Sequence, residues 1–415
     1  MEKKSLYIFN PEHDLAMASG ETNYMAPASA RQMAADLALL PVWYAEKGAK
    51  VLAPSAYNIE FLKSMQELLG NFVEIMTEPE IANEKNVEFS PWGWDPALRK
   101  RLLSLGADEE QLFSKEYLSA LRDYSNRSHA VDLLARLQLS ENFCGKSFYL
   151  RTEKEWKAFV EEREACLLKA PLSGSGKGLN WCRGVFSPFI LGWCTRVAAS
   201  QGGVVGEPVY NKVRDFAMEF HSNGKGKVVF AGYSIFHTSS NGMYAGNELL
   251  SDKKILKKLS EYVPVRELLR LQGHLEEELS TLLGGFYKGY LGVDMMICYF
   301  SDKSPVYRIH PCVEINLRMN MGVVAHFLTD RYLAPEVEGV FQIAYYPKAG
   351  LALEEHQRKM ATSNLCLQNG RLCSGYLSLV PVTSRSLYRA WIEVTGIVSG
   401  GKHNTPLMRN TVSEW

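Results

Sequence analysis

Residues 289–319 read GYLGVDMMICYF, then SDKSPV, then YRIHPCVEINLRM: two apolar runs joined by a short, turn-rich link. Side chains alternate faces along a strand, so Glu314, Asn316 and Arg318 leave the same side of the second run. Asp294 and Glu314 stand equally far from Ser304, inside the link, so a symmetric hairpin sets one carboxylate opposite the other. Two carboxylates and an amide oxygen on an otherwise apolar surface repel one another and resist burial unless a cation joins them. Hard oxygen donors in this number suit Mg2+, with Mn2+ able to stand in. Arg318, two residues on, is placed to meet a phosphate or a developing oxyanion. The same residues also fit an Asp/Glu–Arg ion-pair network on a solvated sheet face, and taken alone they leave both readings open.

Upstream, residues 169–178 read KAPLSGSGKG. Glycines 174, 176 and 178 let the backbone adopt positive φ and approach a ligand closely, and a row of backbone N–H groups with Lys169 and Lys177 suits phosphate oxygens. A Walker A loop would place Gly where Pro171 stands and Ser or Thr where Gly178 stands; a dinucleotide fingerprint would be followed by a helix, whereas LNWCRG reads as a strand. What remains is strand, glycine loop, strand: either a flap over phosphates or a tight hairpin without a ligand.

Working outward, residues 1–125 alternate short apolar runs with helical patterns, among them SLYIFN, ARQMAADLALLPVWYAEKG, AKVLAP and NIEFLKSMQELLG. Strands alternating with helices predict a doubly wound parallel sheet, which carries ligands at the carboxyl ends of its strands. From residue 126 the pattern changes to two α+β segments, 126–210 with the glycine loop and 211–345 with the carboxylate hairpin. Thr152 and Ser187-Pro188 mark helix starts, and DKKILKKLSEYVPVRELLRLQGHLEEELSTLL reads as one long helix. Residues 346–415 form an extension in which NGRLCSGYLSLVPVT reads as strand and the remainder as a tail.

The 415 residues balance 46 Lys and Arg against 46 Asp and Glu, which removes the electrostatic footprint expected of a nucleic-acid binder. No stretch approaches the apolar length of a membrane span, and the amino terminus turns polar too soon for a signal peptide. Eight cysteines show no C-x-x-C pair or zinc-ligand spacing. A reduced, cytoplasmic protein without nucleic-acid or membrane partners is expected.

Four segments in this order, LLKAPLSGSGKG, VVGEPVY, the D-x-M strand at Asp294 and E-x-N-x-R from Glu314, resemble the ATP-grasp superfamily over roughly residues 125–330. The resemblance implies an α/β protein in which two α+β subdomains clamp a nucleotide, after an N-terminal domain of the pre-ATP-grasp kind. It implies ATP and Mg2+ as cofactors. Lys169 would contact the phosphates, with Ser173, Gly174, Ser175, Gly176, Lys177 and Gly178 folding over them. Glu207, Pro208, Val209 and Tyr210 would line the adenine, and Asp215 would approach the ribose. Asp294, Glu314 and Asn316 would hold the metal, and Arg318 would neutralise the reacting anion. For Glu207 and Asp215 the alternative is an ordinary surface acid beside a turn.

Enzymes of this family mostly join a carboxylate to an amine or thiol through an acyl phosphate, and positioning with charge neutralisation suits that phosphoryl transfer. Candidate contacts for a small-molecule or peptide substrate are Asn10, His13, Asp14 and Trp94 at the edge of the first sheet, and Asn247 in a polar stretch near the cleft. Asp14 and Asp95 are equally suited to capping the helices that follow them. A kinase acting on a hydroxyl and a non-catalytic ATP-binding protein are the alternatives; oligomeric state is left open.

Overall fold

The computed structural model describes residues 3–70, 73–174, 178–238 and 244–396. Its strands fall into three sheets in chain order. The first holds β1 (Lys4–Ile8), β2 (Lys50–Leu52), β3 (Glu74–Met76) and β4 (Val87–Pro91) in the order β3-β2-β1-β4. All three pairings are parallel, so the helices between them cross the sheet faces, as the strand–helix alternation predicts.

The second sheet, order β5-β8-β6-β7, is built from β5 (Phe148–Leu150), β6 (Cys166–Lys169), β7 (Leu179–Cys182) and β8 (Val204–Pro208), all paired antiparallel. Its two helices start where the sequence places them. Thr152 and Glu155 form a reciprocal capping box, and the Ser187 hydroxyl accepts from the Ile190 N–H with Pro188 in the first turn.

The third sheet has nine strands: β9 (Lys212–Asn223), β10 (Val228–Thr238), β11 (Tyr244–Leu249), β12 (Lys288–Tyr299), β13 (Tyr307–Asn316), β14 (Glu338–Tyr345), β15 (Cys366–Gln368), β16 (Arg371–Ser378) and β17 (Tyr388–Thr395). Their order is β13-β12-β9-β10-β11-β14-β17-β16-β15. Phe216, Met218 and Phe220 of β9 and Leu291, Val293, Met295 and Ile297 of β12 enter the main core with Leu268, Leu271, Leu275, Leu279 and Leu283 of the helix Val265–Leu283. Strand alternation therefore turns Asp215, Ala217 and Glu219, and Gly292, Asp294 and Met296, to the opposite face.

Three expectations are corrected. The long helix after residue 251 is two, Asp252–Leu259 and Val265–Leu283, because Pro264 has no N–H to continue the first. The helix expected from Ala30 onward ends at Asp36 and gives way to a short 3-10 turn over Leu40–Trp43, with Pro41 in that turn. The stretch from 384 onward, expected as tail, includes β17, which pairs with β14 and β16 inside the large sheet. Trp43 joins this region to the amino-terminal part, its indole N–H donating to the Leu379 carbonyl at 2.6 Å.

Candidate active site

The β12–β13 register places Asp294 directly opposite Glu314 and Gly292 opposite Asn316, the pairing that the midpoint of the link predicts. This face is only partly solvated: Asn316 is buried, Asp294 and Glu314 are partly exposed, and Glu314 and Asn316 line a narrow cleft. Desolvation, and then the charges of Glu314 and Glu219, push the Asp294 carboxyl up to about 8, although Arg318 and a hydrogen bond from Asn316 oppose the rise. A cation among these oxygens would reverse that shift, which is the sense in which the donor set fits Mg2+. Among the described residues, no three His, Cys, Asp or Glu side chains converge into a metal-holding group; the candidate set is two carboxylates with an amide.

Both arginines at the cleft are ion-paired. Arg318 meets Asp14 in a two-pronged contact, Nε to Oδ1 at 2.7 Å and Nη2 to Oδ2 at 2.8 Å, and also donates to the Asn316 amide oxygen at 3.0 Å. Burial opposes ionisation of Asp14, but the Arg318 charge and hydrogen bonds win and hold its carboxyl below the usual range. Asp14 thus belongs to the charge network of the site and is not a helix cap. Asp95 is one: it accepts from the Leu98 N–H at 2.9 Å.

The second arginine, Arg127, opens the helix Arg127–Arg136 and is buried. It donates to the Ala170 carbonyl at 2.6 Å and to the Ser173 hydroxyl and carbonyl at 2.8 and 3.0 Å, and it lies 2.6 Å from a Glu314 oxygen. One side chain therefore ties the start of the glycine loop to the carboxylate rung. Ser175, Gly176 and Lys177 lie outside the described residues. Gly174 packs so closely on Asp14 that a Cβ there would fall 1.9 Å from Oδ2. Gly174→Ala is expected to destabilise the protein by roughly 1–3 kcal/mol, since either the loop or the helix must shift; a thermal melt unchanged from the wild type would contradict this contact.

Lys169 and Glu207 meet across the second sheet. Val205 lies opposite Lys169 and Leu167 opposite Glu207, so the two charged residues are diagonal neighbours, and their side chains close to 2.5 Å. Burial works against the Glu207 charge, yet Lys169 keeps its carboxyl below the usual range. A hydrogen bond from the Ser147 hydroxyl at 3.1 Å adds to this. Beside the pair sits His310, fully buried, with neither ring nitrogen hydrogen-bonded among the described residues; burial pushes it down to about 4. The Tyr210 ring stands 5.5 Å away, and its hydroxyl accepts from the Lys146 N–H at 2.8 Å.

His13, Asp14, Ser173, Glu314, Asn316 and Arg318 line one cleft with a free volume of about 30 Å3. Other expected residues stand elsewhere or are held by protein partners. Asn10 donates to the Gly93 carbonyl at 2.8 Å, and Trp94 packs edge-on against Phe113. The Asn247 amide donates to the Ile235 carbonyl at 3.2 Å and accepts from Tyr244 at 2.6 Å. Asp215 is paired with Lys212 and Thr238. Pro208 ends β8, opposite Cys166, and Val209 is exposed. Gly178 takes φ +76 against Ser173 and Ala170, a left-handed turn that glycine fills without strain.

Three residues of the site were not foreseen. Arg127 carries no motif, and His310 lies beyond a register shift in β12–β13. Glu219 had a signal: it follows Asp215 at twice the strand period, on the face of Asp294. It is buried, accepts from Ser234 at 2.9 Å and Asn320 at 2.8 Å, and desolvation pushes it up to about 7.

No protein-family model matches the sequence, and no curated protein is significantly similar to it. Among solved structures the chain is similar to an N5-carboxyaminoimidazole synthetase from Staphylococcus aureus complexed with ADP, at 12% identity over 95% of this chain and 94% of that one, with a TM-score of 0.46. It is also similar to a biotin carboxylase from Campylobacter jejuni complexed with a β,γ-ATP ligand, at 12% identity over 95% and 88% of the two chains, TM-score 0.49. A third is N5-carboxyaminoimidazole ribonucleotide synthetase from Thermus thermophilus, at 11% identity over 94% and 93%, TM-score 0.48.

Proposed function

We propose that the protein is an ATP-dependent ligase of the ATP-grasp type, joining a carboxylate to an amine or thiol through an acyl phosphate. One observation supports this above the others: Arg127 bridges the loop that follows Lys169 to Glu314, and with Arg318 on Asn316 this brings two cationic side chains to the carboxylate rung. Phosphoryl transfer between two anions needs that combination. Asp294, Glu314 and Asn316 would hold Mg2+, which supplies charge neutralisation at the phosphates. Lys169 and Arg127 would bind phosphate oxygens from the loop side, and Arg318 would orient the substrate carboxylate. Eight free thiols suit a reducing, cytoplasmic setting.

Incubation of the full chain with ATP, Mg2+ and pools of carboxylates and amines tests the proposal. The expected result is ADP, free phosphate and a condensed product detected by mass. Phosphate retained on the product would replace the ligase with a kinase, and absence of MgATP binding by calorimetry would overturn both.

A further inference from the structure

A second and larger cavity, of about 220 Å3, opens on the same sheet face, and its lining includes Glu219, Tyr290, Val323, His326 and Phe327. Glu219 is the only carboxylate among its lining residues. It is held from behind by neutral donors, Ser234 and Asn320, and makes no ion pair among the described residues. The backbone has given way to seat it: a Cβ on Gly322 would fall 2.0 Å from Oε1, and one on Gly292 would fall 2.5 Å from Oε2. A buried carboxylate is costly to keep charged without a cation, and a cation in the cavity beside it would remove that cost. The walls say which kind. Tyr290 and Phe327 stand edge to face at 5.6 Å, and His326 lies beside Phe327 at 6.5 Å. A bare divalent ion needs several oxygen ligands, whereas one carboxylate among aromatic faces suits an organic ammonium. Arg331 already stands 4.2 Å over the Phe327 ring, which shows that this ring accepts a cation.

We propose that this cavity is a binding site for an organic amine, recognised by Glu219 through its ammonium group and by Tyr290, His326 and Phe327 through its carbon skeleton. Its role as the acceptor pocket rests on the ligase reading; the binding itself does not. Strand β9 supplies Glu219 two residues from Ala217, which pairs with Asp294, so an amine held here adjoins the carboxylate rung.

The test titrates the full chain with benzylamine and with neutral benzyl alcohol, following ligand signals by saturation-transfer NMR and heats by calorimetry, with MgADP titrated separately. Benzylamine is expected to bind at least about tenfold more tightly than benzyl alcohol. Glu219→Gln should erase that preference while leaving benzyl alcohol binding in place, which also reports that the variant is folded. Val323→Trp, which fills the cavity, should remove both. Equal binding of the two probes, an amine preference that survives Glu219→Gln, or amine binding that survives Val323→Trp would each overturn the proposal. Failure of MgADP alone to bind would count against the ligase and not against the amine site.

Discussion

Asp294→Asn is expected to lower Mg2+-dependent ATP turnover by about 10^3-fold or more and, in the same protein without metal, to raise the melting temperature. The two effects have one cause. With its carboxyl pushed up to about 8 from an ordinary 3.8, chiefly by desolvation and then by Glu314 and Glu219, Asp294 is protonated more readily in the folded protein than in the unfolded chain. Its contribution to stability is therefore complete below about pH 4 and is lost as pH rises through 8. An amide cannot ionise, so the variant keeps that stability, on the order of 2 kcal/mol at pH 8 after allowance for partial solvent access. Thermal melts of metal-free protein should diverge between pH 5 and pH 8, with the variant higher at pH 8, and Mg2+ should raise the melting temperature of the wild type more than that of the variant. A wild type as stable at pH 8 as the variant, and indifferent to Mg2+, would remove the carboxylate rung from the metal site.

How far the site was legible follows from the range over which each contact acts. Asp294 and Glu314 are joined by one short link, so period-two alternation and the link's midpoint suffice to pair them. Thr152 and Ser187 cap helices through contacts three residues away, and such local hydrogen bonds show in the sequence as residue types. Asp14 and Arg318 are 304 positions apart and Arg127 and Glu314 almost 190. No periodicity connects them, because their approach is set by how two sheets and a helix pack. Glu219 lies between these cases: its face was readable from Asp215, but its burial depends on glycines at 292 and 322 that come from other elements. Pro264 was readable and outweighed by the leucine period on either side of it, since apolar spacing continues across a break that only the missing N–H reveals.

Arg127→Met is the substitution expected to damage the fold most. Methionine fills the volume of the arginine stem but returns none of its contacts with Ala170, Ser173 and Glu314. Removing one partner of an enclosed ion pair leaves the other charge uncompensated, which typically costs about 3–5 kcal/mol; Glu314 keeps some solvent, its side chain being 23% exposed, so roughly 2–4 kcal/mol is expected here. The loop carrying Ser173 loses its anchor at the same time, and MgATP should bind at least about tenfold more weakly. Chemical denaturation separates the two contributions. If the loss of stability comes from a stranded Glu314 charge, Arg127→Met with Glu314→Gln should be more stable than Arg127→Met alone, the mark of coupled neighbours. If instead the two substitutions simply add, the ion pair is incidental and Arg127 serves only the loop. The nucleotide affinity of the double variant is expected to stay low whatever its stability, because the loop anchor is absent in both proteins and Glu314 is itself a candidate Mg2+ ligand, so the stability difference alone carries the distinction.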